Sequence, residues 1–125
     1  WVSYSSKVYK ILSDFLAWLH SGKENARRIY GYGAAAKAST ILNAMSIEPN
    51  LLLGIADVSL EKQRRFMPPH GTKICSPQEL FAANPTDIVV FPWNIESEIA
   101  SYIRSNLGDN VRIWCAIPDM HEIEP

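Results

Sequence analysis

The sequence is poor in the features that mark disulfide-stapled, membrane-spanning and strongly charged proteins. Only two cysteines occur among 125 residues, and they lack the paired spacing of a metal site. We interpret Cys75 and Cys115 as buried free thiols. No apolar run approaches the roughly 20 residues of a membrane helix, and the formal net charge is only -1. These absences argue against a membrane partner and against electrostatic capture of nucleic acid, and they predict a cytoplasmic protein.

What remains is a composition typical of one globular domain. Apolar residues make up 47% of the chain, enough for a core without disulfides or metal. We therefore expect a single domain over residues 1–125. Because the chain begins at Trp1 without a Met, directly before a helical pattern, we also expect it to be part of a longer protein. The apolar spacing predicts a first helix over 5–21 that stops at Gly22, followed by a core over 26–118.

Strand and helix patterns alternate along the rest of the chain. This alternation predicts a Rossmann-like, doubly wound α/β fold with a mainly parallel five-stranded sheet and helices on both faces. By analogy with mononucleotide-binding units we expect the strand order 3-2-1-4-5, with a switch point between the first and fourth strands. The predicted strands cover 26–30, 51–57, 72–75, 87–91 and 111–117, and a helix is predicted over 34–45.

Two further helices carry start signals. Ser76 is a predicted N-cap, Pro77 fits the first helical position, and Glu79 would close a capping box. Asn94 is the predicted N-cap of a last helix that stops at Gly108. The polar, basic and proline-bearing segment 58–71 is unsuited to a central strand and is predicted to be a loop.

The most informative segment is 28–37, which reads as strand, glycine turn and helix start. Gly31, Gly33 and Ala36 match G-x-G-x-x-[G/A], in which glycines permit a tight turn and close approach to a phosphate. Asp57 follows 24 positions after Gly33, close to the spacing of an acid that binds ribose hydroxyls. Alternatively the glycines only turn the chain, and Asp57 caps the next loop.

Other candidate ligand contacts surround this turn. Lys37 lies in the first turn of the predicted helix, where a cation is unfavourable unless an anion sits nearby. Trp93 and Asn94 follow the fourth strand and would face the same crevice, although a core tryptophan and a cap are the simpler interpretations. Lys62 lies in the basic loop, where solvated charge is the alternative. Among the histidines we single out only His70 as an acid–base candidate, and we expect His121 to be a solvated tail residue.

These residues resemble the C-terminal domain of SAM-dependent sugar C-methyltransferases. The resemblance implies a nucleotide-sugar-binding domain, not catalytic alone, whose parent enzyme methylates a nucleotide-linked keto-deoxysugar. It implies that S-adenosylmethionine binds a missing upstream domain and that this domain binds no cofactor. From the residues themselves, the lack of metal-ligand spacing among the histidines and cysteines predicts no metal. The resemblance rests on 32–40, on Asp57 with Lys62-Gln63, on Pro68 and on Pro92-Trp93-Asn94. The substrate-binding residues that it implies are Gly31, Tyr32, Gly33, Ala34, Lys37, Asp57, Lys62, Trp93 and Asn94.

Two other functions stay open on the sequence. The glycine turn and Asp57 also suit a stand-alone NAD-binding or regulatory module. A purely structural interaction domain, in which the turn holds no ligand, would explain the same residues.

Overall fold

The computed structural model describes residues 2–33, 51–57, 66–67, 72–91, 95–116 and 119–124. These residues form three helices and seven strands. The helices are α1 (Val2–Glu24), α2 (Pro77–Ala82) and α3 (Glu96–Leu107). The strands are β1 (Ile29–Tyr32), β2 (Ile55–Ala56), β3 (Phe66–Met67), β4 (Thr72–Cys75), β5 (Asp87–Val90), β6 (Arg112–Cys115) and β7 (His121–Glu122).

The strands form one sheet in the order β3-β4-β2-β1-β5-β6-β7. Its five inner strands are parallel and follow the predicted order 3-2-1-4-5. The prediction of five strands in total was wrong, because β3 and β7 pair antiparallel at the two edges. β3 lies in the segment predicted to be a loop. It is an edge strand, which agrees with the prediction that this segment is unsuited to a central strand.

Several predicted strands are shorter in the structure than the apolar runs that suggested them. β1 starts at Ile29 rather than at residue 26, because the preceding residues close the end of α1. β2 contains only Ile55 and Ala56, although Leu51 and Leu52 before it are also buried. The residues just before β2 still bond β1, since the Leu53 N–H donates to the Ile29 carbonyl at 2.9 Å and the Gly31 N–H donates to the Gly54 carbonyl at 2.8 Å. The apolar run therefore overestimated the length of the regular strand and correctly placed the segment beside β1.

The first helix is longer than predicted, since it passes through Gly22 and ends at Glu24. Gly22 is buried, and a Cβ atom there would collide with the Ile29 side chain. The glycine therefore permits close packing of helix and strand instead of stopping the helix.

The actual end of α1 is a Schellman motif. The N–H of Arg27 donates to the carbonyl of Gly22 at 2.8 Å, and the N–H of Ala26 donates to the carbonyl of Lys23 at 3.1 Å. Ala26 has φ 56°, the left-handed conformation that glycine usually supplies at this position.

The helix-start predictions had different outcomes. The capping box of α2 is confirmed: Ser76 Oγ accepts from the N–H of Glu79 at 3.1 Å, and Glu79 Oε1 accepts from the N–H of Ser76 at 3.3 Å. For α3, Ile95 occupies the N-cap position and its side chain makes no capping hydrogen bond within the described part of the chain. The prediction of an Asn94 cap was therefore wrong, and Asn94 itself lies outside the described residues.

Two hydrophobic clusters form the core, and alternate residues of one strand contribute to them. Val89 packs in a cluster with Phe15 and Leu19 of α1. Ile88 and Val90 belong to the other cluster, which includes Leu80 of α2 and Ala100 and Ile103 of α3. The continuous apolar run of β5 is thus buried throughout, as a central parallel strand requires.

A buried carboxylate fastens the amino edge of the sheet. Asp87 is 3% exposed and accepts hydrogen bonds from Arg27 Nε at 2.7 Å, Thr86 Oγ1 at 2.7 Å and Trp114 Nε1 at 3.0 Å. These contacts connect the end of α1 to β5 and β6. They all lie at the amino ends of the parallel strands, away from the carboxyl ends where α/β sheets bind ligands. Of the described helices, none has both the length and the apolarity needed to cross a membrane.

Candidate functional site

The glycine turn lies at the carboxyl end of β1, and its two glycines have different reasons to be glycine. A Cβ atom on Gly31 would lie 2.6 Å from Phe91 Cε2 and 3.1 Å from Ile55 Cγ1. Gly31 therefore allows cross-strand packing inside β1, whereas the sequence motif predicted a tight turn there. Gly33 has φ 78°, so the turn itself begins at the second glycine.

Tyr32, between the two glycines, is a core residue. Its ring meets the Tyr102 ring of α3 edge-on, with 6.5 Å between centroids. Burial, with a smaller contribution from Tyr102, raises the pKa of the Tyr32 phenol above its ordinary value. Its carbonyl accepts from the N–H of Phe91 at 3.2 Å, which holds the ends of β1 and β5 together. The Tyr32 side chain thus packs in the core against α3.

Asp57 lies beside the turn, at the end of the neighbouring strand. Tyr32 pairs with Ala56 in the β1–β2 register, and the Gly33 N–H donates to the Ala56 carbonyl at 2.8 Å. Gly33 and Asp57 therefore follow directly after paired residues on strands that run about 5 Å apart. Asp57 is 7% exposed, and its N–H donates to the Cys75 carbonyl at 2.9 Å. The structure thus brings together the two features that the spacing of the sequence connects.

The turn also lies at the switch point of the sheet. β1 pairs with β2 on one side and with β5 on the other. The strands that follow β1 are first added on the β2 side, and from β5 onward they are added on the opposite side. In open α/β sheets the crevice beyond the carboxyl ends at such a point is the usual ligand site. The remaining predicted contacts, Ala34, Lys37, Lys62, Trp93 and Asn94, lie outside the described residues, as do His70 and the predicted helix 34–45.

A group of chemically active side chains at the same edge was missed in the sequence. Glu96, Cys115 and His121 each place one potential ligand atom within 4.8 Å of the others. His121 was expected to be a solvated tail residue, but β7 pairs with β6 so that His121 faces Cys115 in the register. Its Nε2 lies 3.3 Å from Glu96 Oε1. Since the three residues come from separate segments, the spacing offered no local signal.

Hydrogen bonds hold the His121 ring in place. Its Nδ1 lies 2.8 Å from the carbonyl oxygen of Asp119. That backbone bond, followed by the Glu96 carboxylate, raises the pKa of His121 above its ordinary value, against a lowering by burial. The register Tyr32, Val90, Cys115, His121 across four strands places this group and the glycine turn on one edge of the sheet.

Comparison with known proteins agrees with the architecture. The fold is similar to that of UDP-D-quinovosamine 4-dehydrogenase from Vibrio fischeri, with a TM-score of 0.58, 13% identity and coverage of 78% of this chain and 93% of that chain. At this identity the likeness concerns the fold alone. No curated protein sequence matched significantly. The model of the C-methyltransferase C-terminal domain matches residues 1–118. The chain therefore belongs to the C-methyltransferase C-terminal domain family.

Proposed function

We propose that this domain binds a nucleotide-linked keto-deoxysugar and presents it for C-methylation by a SAM-dependent enzyme of which it is one part. The observation that carries the proposal is that Gly33, a glycine with left-handed φ, lies beside the buried carboxylate of Asp57 at the switch point of the sheet. Membership in the C-methyltransferase C-terminal domain family supports the reaction class.

The two groups suit different parts of such a ligand. A glycine without a side chain lets the diphosphate approach the backbone at Gly33, where a following helix would present free amides. The Asp57 carboxylate would accept hydrogen bonds from ribose or sugar hydroxyls. Lys37 and Lys62 would add positive charge near the diphosphate, and Trp93 and Asn94 would contact the base or sugar from the other side of the crevice.

We assign S-adenosylmethionine to another domain of the parent protein, where it would supply the methyl group. The role of this domain is then to hold and orient the substrate, because methyl transfer requires the reacting carbon in line with the donor. On this proposal the isolated chain binds the nucleotide-sugar and has no methyltransferase activity.

A matched pair of glycine substitutions tests the site. Gly33 and Gly108 both have positive φ, 78° and 77°, so an alanine is strained at each, and an added Cβ at Gly108 meets nothing within 4 Å. We expect Gly33→Ala to weaken dTDP- or UDP-sugar binding about tenfold or more, an affinity loss of roughly 1.4 kcal/mol. Gly108→Ala, with ψ -165° in a region that only glycine usually adopts, should lower stability by about 1–3 kcal/mol while preserving affinity.

Calorimetric titration of both variants, with thermal melts, separates affinity from stability. Equal affinity in Gly33→Ala and the unmutated chain would refute the proposed site. The same titration with NADH tests the dinucleotide-binding alternative that the glycine turn and Asp57 also allow. Binding of neither ligand class by a folded chain would favour a purely structural domain.

A further inference from the structure

We propose that Glu96, Cys115 and His121 form a binding site for a divalent transition metal, with Zn²⁺ the best match to the donors. One carboxylate oxygen, one thiolate sulfur and one imidazole nitrogen converge within 4.8 Å of one another. Oxygen, sulfur and nitrogen donors of these types are the ligands that Zn²⁺ takes in proteins, whereas Mg²⁺ and Ca²⁺ prefer oxygen alone.

The charges of the donors also suit a dication. An ionised Cys115 and an ionised Glu96 carry two negative charges, and His121 binds as a neutral ring. The Cys115 side chain is buried, at 1% residue exposure, so a thiolate there needs a positive partner nearby. A divalent ion supplies it and leaves the site electrically neutral.

The orientation of the histidine favours coordination through one particular nitrogen. His121 Nδ1 lies 2.8 Å from the Asp119 carbonyl oxygen, which can only accept a hydrogen bond. Nδ1 must therefore carry the proton, and in the neutral ring Nε2 has the free lone pair. That nitrogen faces Glu96 Oε1 at 3.3 Å. Histidines that bind metals commonly donate their second N–H to a backbone carbonyl in this way.

Three different elements of the fold supply the three ligands. Cys115 ends β6, the return of the chain in β7 places His121 opposite it, and Glu96 is the first residue of α3. The side chains of Glu96 and His121 remain 27% and 34% exposed, so one side of the group is open. A tetrahedral ion with three protein ligands would hold water at its fourth position, as open zinc sites do.

Cobalt titration of the metal-stripped full chain tests the proposal directly. We expect one Co²⁺ per chain with a thiolate-to-cobalt charge-transfer absorption that Zn²⁺ displaces. Cys115→Ala should abolish that absorption. The other cysteine is a natural control: Cys75→Ala should retain it, because Cys75 lies in β4 on the far side of the sheet centre.

Variants of the other two ligands keep the test independent of the buried cysteine. His121→Ala and Glu96→Gln should each weaken Zn²⁺ binding by more than about tenfold, since even outer-shell partners of metal ligands contribute roughly 10- to 100-fold. His20→Ala, on α1, should bind Zn²⁺ normally. Circular dichroism confirms that each variant is folded. Absence of the cobalt–thiolate band in the folded, unmutated chain, or its loss in Cys75→Ala but not in Cys115→Ala, would overturn the proposal.

Discussion

At the scale of single residues, two buried aspartates show how position decides the role of a side chain. One lies at the amino ends of the parallel strands and the other at their carboxyl ends. Asp87 is held at the amino edge by Arg27, Thr86 and Trp114. Asp57 lies at the carboxyl edge, where ligands of α/β sheets bind. One carboxylate is thus part of the framework, and we propose the other for ligand binding.

This difference predicts opposite effects of the same substitution. Asp87→Asn should lower the free energy of unfolding by about 1.5–3 kcal/mol, because it removes a charged acceptor from buried hydrogen bonds. It should leave nucleotide-sugar affinity unchanged. Asp57→Asn should weaken that affinity, because it replaces an oxygen that would accept from ligand hydroxyls. Denaturant unfolding and calorimetric titration measure the two quantities, and unaltered ligand binding by Asp57→Asn would remove Asp57 from the site.

At the scale of elements, the end of α1 fixes how the chain enters the sheet. The Schellman motif at Ala26 turns the chain into β1, and Arg27, the next residue, immediately bonds Asp87. The helix thereby ends just before β1 begins. Its Gly22 allows α1 to pack closely on Ile29, the first residue of β1.

Ala26→Gly should therefore stabilise the protein. The left-handed φ of 56° costs alanine about 1–2 kcal/mol, which exceeds the entropic cost of glycine in the unfolded chain. We expect the free energy of unfolding to rise by about 0.5–1 kcal/mol. As a control, Ala17→Gly on the exposed side of α1 should lower it by about 1 kcal/mol. A loss of stability in Ala26→Gly would contradict this account of the helix end.

At the scale of the whole molecule, β7 ties the last described segment to the sheet and to α3. Arg112 Nη2 bonds Glu122 Oε1 at 2.7 Å, and His121 lies within reach of Glu96. Since Glu96 begins α3, the His121–Glu96 contact connects two elements that are distant in sequence.

That contact predicts a pH-dependent stability. The folded pKa of His121 is raised above 6.5, chiefly by the Asp119 carbonyl and then by Glu96, with the Asp119 carboxylate adding to it and Cys115 also close by. The contribution of charged His121 is therefore complete below the unfolded pKa and is lost as pH rises through the folded pKa. With EDTA present, His121→Gln should destabilise the chain more at about pH 5.5 than at about pH 8.5. Equal losses in denaturant unfolding at both pH values would contradict it.

The order of the inner strands was predicted by analogy with mononucleotide-binding units. Local patterns in the sequence anticipated those strands themselves, the capping box at Ser76 and the left-handed turn at Gly33. Each depends on a residue and its close neighbours in the chain: buried runs of β-branched residues, a side chain that bonds a backbone amide three residues on, and a glycine that tolerates positive φ. Such signals survive without knowledge of the packing, so the sequence alone determined the fold class and the place of the candidate site.

Tertiary structure decided what depends on contacts between distant segments. Gly22 continues a helix because Ile29 packs against it, and Gly31 is needed because Phe91 occupies the space of its side chain. β3 and β7 are two-residue strands, too short for a periodic pattern, and exist through pairing with β4 and β6. The pairing of β7 with β6 also assembles Glu96, Cys115 and His121, since only the folded sheet brings Glu96 and His121, 25 positions apart, to within hydrogen-bonding distance.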